Sequence, residues 1–245
     1  MERPPWTIPG STRWSRALVC NERTFLYWRE HRACIANNGR VSALETAIAV
    51  LEALEERGYA GVSELAETLG MSKANVHKHL TTLQIHGFVT RDGSAYRLGL
   101  RFFELGVTAR GGGPLYQESA PKVVELAEIT NQTATLLVPN CEAGVYVASV
   151  NPERESRSGE LEGERRPLHE TASGRAVLAR YPKTERSELL SSAADSGELR
   201  DRLARIEERE VAVGEAPGRD DRRELAAPIV TGHRTPIGAV ALLVD

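Results

Sequence analysis

A short stretch around residue 80 carries residues of the types that recognise DNA. Residues 71–91 contain no Asp or Glu, although acidic residues outnumber Lys and Arg in the whole chain. An Asn side chain can bind adenine through two hydrogen bonds, and Lys suits guanine edges or phosphates. The pattern predicts a DNA-contacting surface made of Ser72, Lys73, Ala74, Asn75, Lys78, Thr81 and Thr82, with Arg91 and Arg97 flanking a hairpin tip.

Helical phasing predicts which of these side chains face outward. At about 100° per residue, Leu80 and Leu83 fall within about 40° of Val76, so the three define a buried face. Lys78 then lies near the opposite side, while His79 is expected to be partly buried. The alternative is that this outward face binds another protein instead of DNA.

A second candidate site lies at a predicted helix start near residue 171. Thr171, Ser173 and the N–H groups around Gly174 are placed where unpaired donors and the helix dipole attract an anion. His169 adds a donor, and Ser149 and Cys141 are polar residues on a predicted hairpin. The alternative is that Thr171 only caps the helix and His169 is a core residue.

Metal and enzyme chemistry are poorly supported. His77 and His79 are about 200° apart on a helix, so they cannot share one metal ion. His169 with Cys141 or Ser173 is the best imaginable base–nucleophile pair, but no Gly-x-Ser-x-Gly or P-loop motif accompanies it. The sequence predicts no catalytic site, no metal and no cofactor.

The elements that must position the basic surface follow in order along residues 41–98. Apolar spacing predicts a helix from about Ser42 to Arg57, and Ser63 and Ser72 are the expected caps of two further helices. Asp92-Gly93 between two short β-rich runs predicts a hairpin. This arrangement is a winged helix-turn-helix.

The second half of the chain mixes helices and hairpin-linked strands, which predicts an α+β domain. Leu98, Phe102 and Leu105, with Phe103, define an apolar helical stretch that either forms a dimer interface or packs on its own domain. The Gly-Gly-Gly-Pro run at 111–114 is expected to act as a hinge. The next helix is expected over residues 121–130, followed by strands around a Pro139-Asn140 turn. The predicted domains are an extension of unknown role (1–40), a winged helix-turn-helix (41–98), a linker helix and hinge (99–114) and a C-terminal effector-binding domain (115–245). The extension is either a flexible segment or a basic arm that contacts DNA phosphates.

Composition narrows the function classes further. The chain has 245 residues and a formal net charge of −3, so any nucleic-acid binding must depend on a local basic face. No apolar run is long enough to cross a membrane. Three cysteines without metal spacing or an even number favour reduced thiols in a cytoplasm.

The same residues resemble the IclR family of transcriptional regulators. Leu44–Leu54, Ser63–Ala66 and Ser72–Leu80 are similar to the three helices of its DNA-binding domain, and Tyr96–Gly99 to the end of its wing. Pro167–Ala176 resembles the most recognisable segment of its effector domain. The resemblance covers roughly residues 41–245, and residues 1–40 match nothing in that family.

The resemblance implies a regulator that binds double-stranded DNA at a palindromic operator as a homodimer or tetramer. It also implies a GAF-like C-terminal domain that binds a small organic metabolite, often an acid, and action as a repressor or an activator. One feature departs from the family, because the last strand reads Ala241–Val244 where polar residues are usual. The alternative is therefore a DNA-binding assembly module without an effector.

Overall fold

The structure, a computed structural model, describes residues 41–153, 161–189 and 196–245. The expected extension, residues 1–40, lies outside the described residues. Two compact units divide the rest, one ending at Gly112 and the other beginning at Gly113. The class is α+β, as predicted, with a winged helix-turn-helix in the first unit and a sheet covered by helices in the second.

The N-terminal unit contains four helices and a small antiparallel sheet within its described residues. The helices are α1 (Ser42–Arg57), α2 (Val62–Thr68), α3 (Lys73–Ile85) and α4 (Arg101–Gly112). The strands are β1 (Ala60–Gly61), β2 (Val89–Asp92) and β3 (Ala95–Leu98), in the order β1-β3-β2. Val50, Leu54, Leu65, Val76 and Leu80 form the centre of one core shared by the first three helices and the sheet.

Two boundaries in this unit differ from the sequence prediction. Ser63 does not cap α2, because the helix begins at Val62 and the Glu64 carboxylate accepts from the Gly61 N–H at 2.7 Å. The glycines at 111 and 112 continue α4, and the break comes only at Gly113, which precedes the next helix. Helical hydrogen bonds form without a side chain, so glycine lowers helix stability without forbidding the helix.

The C-terminal unit is built on a six-stranded antiparallel sheet. Its strands are β4 (Thr133–Asn140), β5 (Ala143–Val150), β6 (Arg165–Pro167), β7 (Ala212–Ala216), β8 (Arg219–Val230) and β9 (Pro236–Val244). The order across the sheet is β6-β5-β4-β9-β8-β7. The helices are α5 (Pro114–Thr130), α6 (Ala172–Leu178), α7 (Lys183–Leu189) and α8 (Ser196–Arg209).

Each face of this sheet has its own core, as side-chain alternation in strands requires. One face packs against α5 through Leu115, Val123 and Ala127. The other packs against α6 and α8, with Ala172, Ala176, Leu203 and Ile206 in the same cluster as Tyr146. The second face carries the polar residues discussed below.

Two predictions for this unit are wrong in their boundaries. The helix expected at residues 121–130 begins at Pro114 and contains Pro121 in its interior. Leu115, Ser119 and Val123, spaced four residues apart, are buried on one side of the helix both before and after Pro121, and this packing maintains the helix across the proline. The turn expected at Pro139-Asn140 lies at Cys141-Glu142 instead. Pro139 is tolerated in β4 because it lies beyond the last residue that pairs with β9, so its missing N–H breaks no bond on that side.

Candidate nucleic-acid interface and candidate effector site

Helix α3 is held in place by its N-cap and its buried face. Ser72 Oγ accepts a hydrogen bond from the Asn75 N–H at 3.3 Å, as the sequence predicts. Val76 and Leu80 are fully buried against α1 and α2, and His79 is half-buried. The predicted phasing is confirmed, so the opposite face of the helix points away from the core.

That opposite face is exposed over its whole length. The exposed residues include every predicted member, namely Ser72, Lys73, Ala74, Asn75, Lys78, Thr81 and Thr82. Lys78 lies between the small Ala74 and Thr81, which leave room for close approach to a groove. No acidic residue lies within residues 71–91, so α3 itself contributes no negative charge that would oppose the attraction of its lysines for a phosphate.

The two threonines already use their hydroxyl protons. Thr81 Oγ1 donates to the His77 carbonyl at 2.8 Å, and Thr82 Oγ1 donates to the Lys78 carbonyl at 3.1 Å. In this state each hydroxyl can only accept from a partner. Asn75 and Lys78 are therefore better placed than the threonines to donate to base edges.

The hairpin forms the predicted wing but separates its two arginines. Gly93 at the tip has φ +60, which the Asp-Gly turn requires. Arg91 pairs with Tyr96 and stacks 5.8 Å above its ring, while Arg91 Nε donates to the Gly93 carbonyl at 2.9 Å. Arg97 pairs with Thr90, so the two guanidinium groups start from opposite faces of the ribbon.

The N-terminus of α6 does not offer the free N–H groups that the sequence predicted. Thr171 Oγ1 accepts from the Gly174 N–H at 3.0 Å, which confirms Thr171 as the cap. Glu224 Oε2 accepts from the N–H groups of Ala172, at 2.7 Å, and Ser173, at 3.2 Å. The protein's own carboxylate therefore occupies the position expected for an external anion, and the premise of free donors is wrong.

Glu224 is the centre of a buried polar cluster. Its Oε1 accepts from Ser173 Oγ at 2.5 Å and from the Tyr146 hydroxyl at 2.9 Å, in addition to the two backbone bonds to Oε2. Burial, and then the negative charge of Glu224, raise the pKa of Tyr146 far above its ordinary value. Arg175 is also buried, and desolvation lowers its pKa while the charge of Glu224 opposes that change.

The other predicted effector residues are not brought together. Ser149 is buried on β5, with its hydroxyl lacking a partner among the described residues. His169 is half-buried, lies 3.8 Å from Glu170 through Nε2, and only its carbonyl accepts from Arg175. Cys141 is exposed at the hairpin turn, roughly 25 Å along the strand from Ser149.

Sequence reasoning missed Glu224, Tyr146 and Thr135. The hydropathy of β8 points to the wrong face of the sheet, because the apolar Leu225 is exposed while Glu224 and Ala226 on either side of it are buried. Thr135 gives no signal either, because β4 carries Thr133 and Thr135 among apolar residues that are buried on both faces of the sheet.

The described residues also limit other chemistry. No group of three or more His, Cys, Asp or Glu among them is arranged to hold a metal ion. Within the same residues, no helix combines the length and the apolar character needed to cross a membrane.

A winged helix-turn-helix with an exposed cationic recognition face, joined to a separate α+β unit, defines the class of two-unit DNA-binding regulators. Comparison with protein families agrees with this class. Residues 43–93 match the IclR helix-turn-helix domain, and residues 111–245 match the bacterial transcriptional regulator IclR C-terminal domain. The chain belongs to the IclR family and is a DNA-binding transcriptional regulator of that type.

Several known proteins are similar to this chain. The glycerol operon regulatory protein of Streptomyces coelicolor is 31% identical over 217 residues, which cover 82% of this chain and 84% of that protein. The regulator KdgR of Dickeya chrysanthemi is 32% identical over 153 residues, which span 62% of this chain and 50% of KdgR. An IclR regulator structure from Alicyclobacillus acidocaldarius gives a TM-score of 0.71 at 23% identity, with 84% of this chain and 88% of that chain covered, and supports the fold.

Proposed function

We propose that the N-terminal unit reads a palindromic operator, with α3 in the major groove and the wing against the DNA backbone. The observation that carries this proposal is the exposed face of α3, which is cationic, free of acids and backed by fully buried Val76 and Leu80. Asn75 and Lys78 would contact bases, and Lys73, Arg91 and Arg97 would contact phosphates. Operator binding also fits the cytoplasmic location that the sequence predicts.

Two copies of the chain would supply the specificity that one winged helix lacks. A single module reads only a few base pairs, so a two-fold dimer on a palindrome doubles the recognised sequence. The apolar stripe on and before α4 supports assembly, because Leu98, Phe102, Phe103 and Leu105 are all at least a third exposed. Covering this stripe with a second copy would remove apolar surface from water.

DNase footprinting on the region upstream of the gene, at two salt concentrations, tests this function. We expect two protected half-sites related by two-fold symmetry, with weaker protection at the higher salt because phosphate contacts release counterions. Absence of any footprint at low salt on this and other candidate operators would contradict the proposal.

We further propose that the C-terminal unit binds a small metabolite that alters operator affinity. Ser149 lies on the sheet face that carries α6, and its buried hydroxyl has no partner among the described residues. Thr171 and Ser173, buried at the start of α6, already form hydrogen bonds within the protein. Gly174 allows α6 to approach the segment that precedes it, since a Cβ at this position would collide with the Leu168 backbone. His169, half-buried beside this segment, is the remaining predicted donor.

A second candidate function is a DNA-binding assembly module without an effector. Glu224 specifically favours it, because an internal carboxylate already satisfies the donors at the start of α6. A thermal-shift screen of metabolites, followed by operator-binding assays, separates the two candidates. A compound that shifts both the melting temperature and the operator affinity supports the effector function, whereas operator binding without any such compound supports the module.

A further inference from the structure

The sheet face that carries α6 contains a row of small residues directly opposite one another. Ser149 pairs with Thr135, Thr135 with Ala241, Ala241 with Ala226, and Ala226 with Ala212. Residues paired across antiparallel strands point to the same face. The row therefore crosses five strands, from β5 to β7, on one face of the sheet.

The alanine end of this row is explained by packing. Helix α6 packs on β7, β8 and β9, and its Ala172 and Ala176 lie in the same buried cluster as the three alanines of the row. Small side chains on both surfaces allow the close approach of helix and sheet. This contact requires no hydroxyl group at the other end of the row.

The hydroxyl end of the row is left unexplained by that packing. Thr135 and Ser149 are 0% and 1% exposed, and within the described residues neither hydroxyl has a hydrogen-bond partner. A buried hydroxyl without a partner costs free energy, and in native proteins such a group usually binds an ordered water or a ligand. Two such hydroxyls on paired residues form one polar spot, with Cβ atoms about 5 Å apart.

The hydrogen bond between the Tyr146 hydroxyl and the Glu224 carboxylate crosses the same part of the sheet. Tyr146 pairs with Leu137, and Glu224 pairs with Leu243, which pairs in turn with Thr133. Thr135 and Ala241 lie between these two positions along β4 and β9. The Tyr146–Glu224 hydrogen bond, which joins β5 to β8, therefore spans the row beside its hydroxyl end.

We propose that Thr135 and Ser149 bind the hydroxyl groups of a small uncharged polyol, and that the Glu224 carboxylate excludes the corresponding acids. This inference rests on the proposed effector function and names its ligand class. The buried carboxylate of Glu224, whose oxygens already accept four hydrogen bonds, would repel the carboxylate of a bound acid. With an effective dielectric constant of about 20 and about 10 Å between the two carboxylates, this repulsion weakens the binding of the acid at least tenfold. A neutral polyol lacks this penalty and can donate to, or accept from, both hydroxyls.

The test uses matched pairs of compounds on the full-length protein. Calorimetric titration compares glycerol, erythritol and xylitol with glycerate, erythronate and xylonate, each acid differing from its alcohol by one oxidised terminal carbon. We expect at least one polyol to bind, and its acid to bind at least tenfold more weakly. An acid that binds more tightly than its alcohol, or a failure of every polyol to bind, overturns the proposal; in the second case the hydroxyls hold water only.

Three variants separate a binding role from a structural one. Thr135→Val and Ser149→Ala should each weaken polyol binding about fivefold to tenfold, which is the range of one neutral hydrogen bond. Because they remove an unpartnered buried hydroxyl, they should not lower the melting temperature. Glu224→Gln should reduce the difference in binding affinity between each polyol and the corresponding acid. The matched control is Thr184→Val, which replaces an exposed threonine of α7 and should change neither the polyol affinity nor the melting temperature.

Operator binding, measured by fluorescence anisotropy on the same preparations, keeps the two proposals distinct. Polyol binding that leaves operator affinity unchanged upholds the ligand class and counts against the effector function. Operator binding with unaltered polyol affinity in Thr135→Val overturns the hydroxyl site while leaving the regulator intact.

Discussion

Glu224→Ala tests whether the buried carboxylate holds α6 on the sheet. The substitution removes the acceptor of four hydrogen bonds, from the N–H groups of Ala172 and Ser173 and the hydroxyls of Ser173 and Tyr146. All four donors lie in buried residues, so none gains bulk water in exchange. We expect the C-terminal unit to lose a large part of its stability.

The magnitude follows from the four donors. A buried donor left without a partner costs about 1–3 kcal/mol. The lower end of this range applies, since removal of Glu224 also removes the cost of burying its charge. At about 1 kcal/mol for each donor, the free energy of unfolding should fall by about 4 kcal/mol, a large share of the roughly 5–15 kcal/mol typical of a domain.

Two control variants isolate the hydrogen bonds. Glu224→Gln keeps an acceptor for the backbone N–H groups and offers an amide to the hydroxyl oxygens, so it should cost only about 1–2 kcal/mol. Glu208→Ala removes an exposed carboxylate from α8 and should change stability by less than about 0.5 kcal/mol.

Hydrogen exchange at the amides of α6 and β8, followed over a range of urea concentrations, measures this stability locally. The reasoning is refuted if the α6 amides of the Glu224→Ala variant are as well protected from exchange as those of the wild type. It is also refuted if Glu224→Gln lowers the free energy of unfolding as much as Glu224→Ala.

The remaining predictions concern both units. Lys78→Ala should lower operator affinity about tenfold and reduce its salt dependence by about one counterion. Lys183→Ala, which removes the same charge from an exposed position on α7, should change neither quantity. Equal effects of the two substitutions in a binding titration would contradict the phasing of α3. Asn75→Ala should relax discrimination at one base pair by about 1–3 kcal/mol in a competition assay with operator variants. Gly174→Ala should destabilise the C-terminal unit by more than about 2 kcal/mol in urea unfolding, because its Cβ would meet the backbone that leads into α6. Burial and a neighbouring carboxylate raise the pKa of Tyr146 above its ordinary value of 10.0, so the folded state keeps a proton that the unfolded state loses above that pH. Stability should therefore fall by up to about 1.4 kcal/mol per pH unit above pH ~10, and Tyr146→Phe should remove this contribution; an unchanged slope in alkaline unfolding titrations would disprove it.

The DNA-binding unit could be predicted almost completely, because its determinants are local. The spacing of Val76, Leu80 and Leu83 sets the buried face of α3, and every residue of the opposite face follows from the helical period. Asp92-Gly93 sets the hairpin for an equally local reason, the positive φ at its second residue. What the period of a strand does not reveal is register, so the opposite faces of Arg91 and Arg97 emerged only from the pairing of β2 with β3.

The sequence by itself determined the class of this protein, the exposed face of α3 and the helix start at Thr171. Only the tertiary structure decided what meets that helix start. Glu224 is 52 residues from Ala172 in the chain, and Tyr146 is 78 residues from Glu224. No local pattern connects such residues, since their contact depends on the order β5-β4-β9-β8 across the sheet. A carboxylate brought there by long-range strand pairing turned a predicted anion site into an internally bonded one.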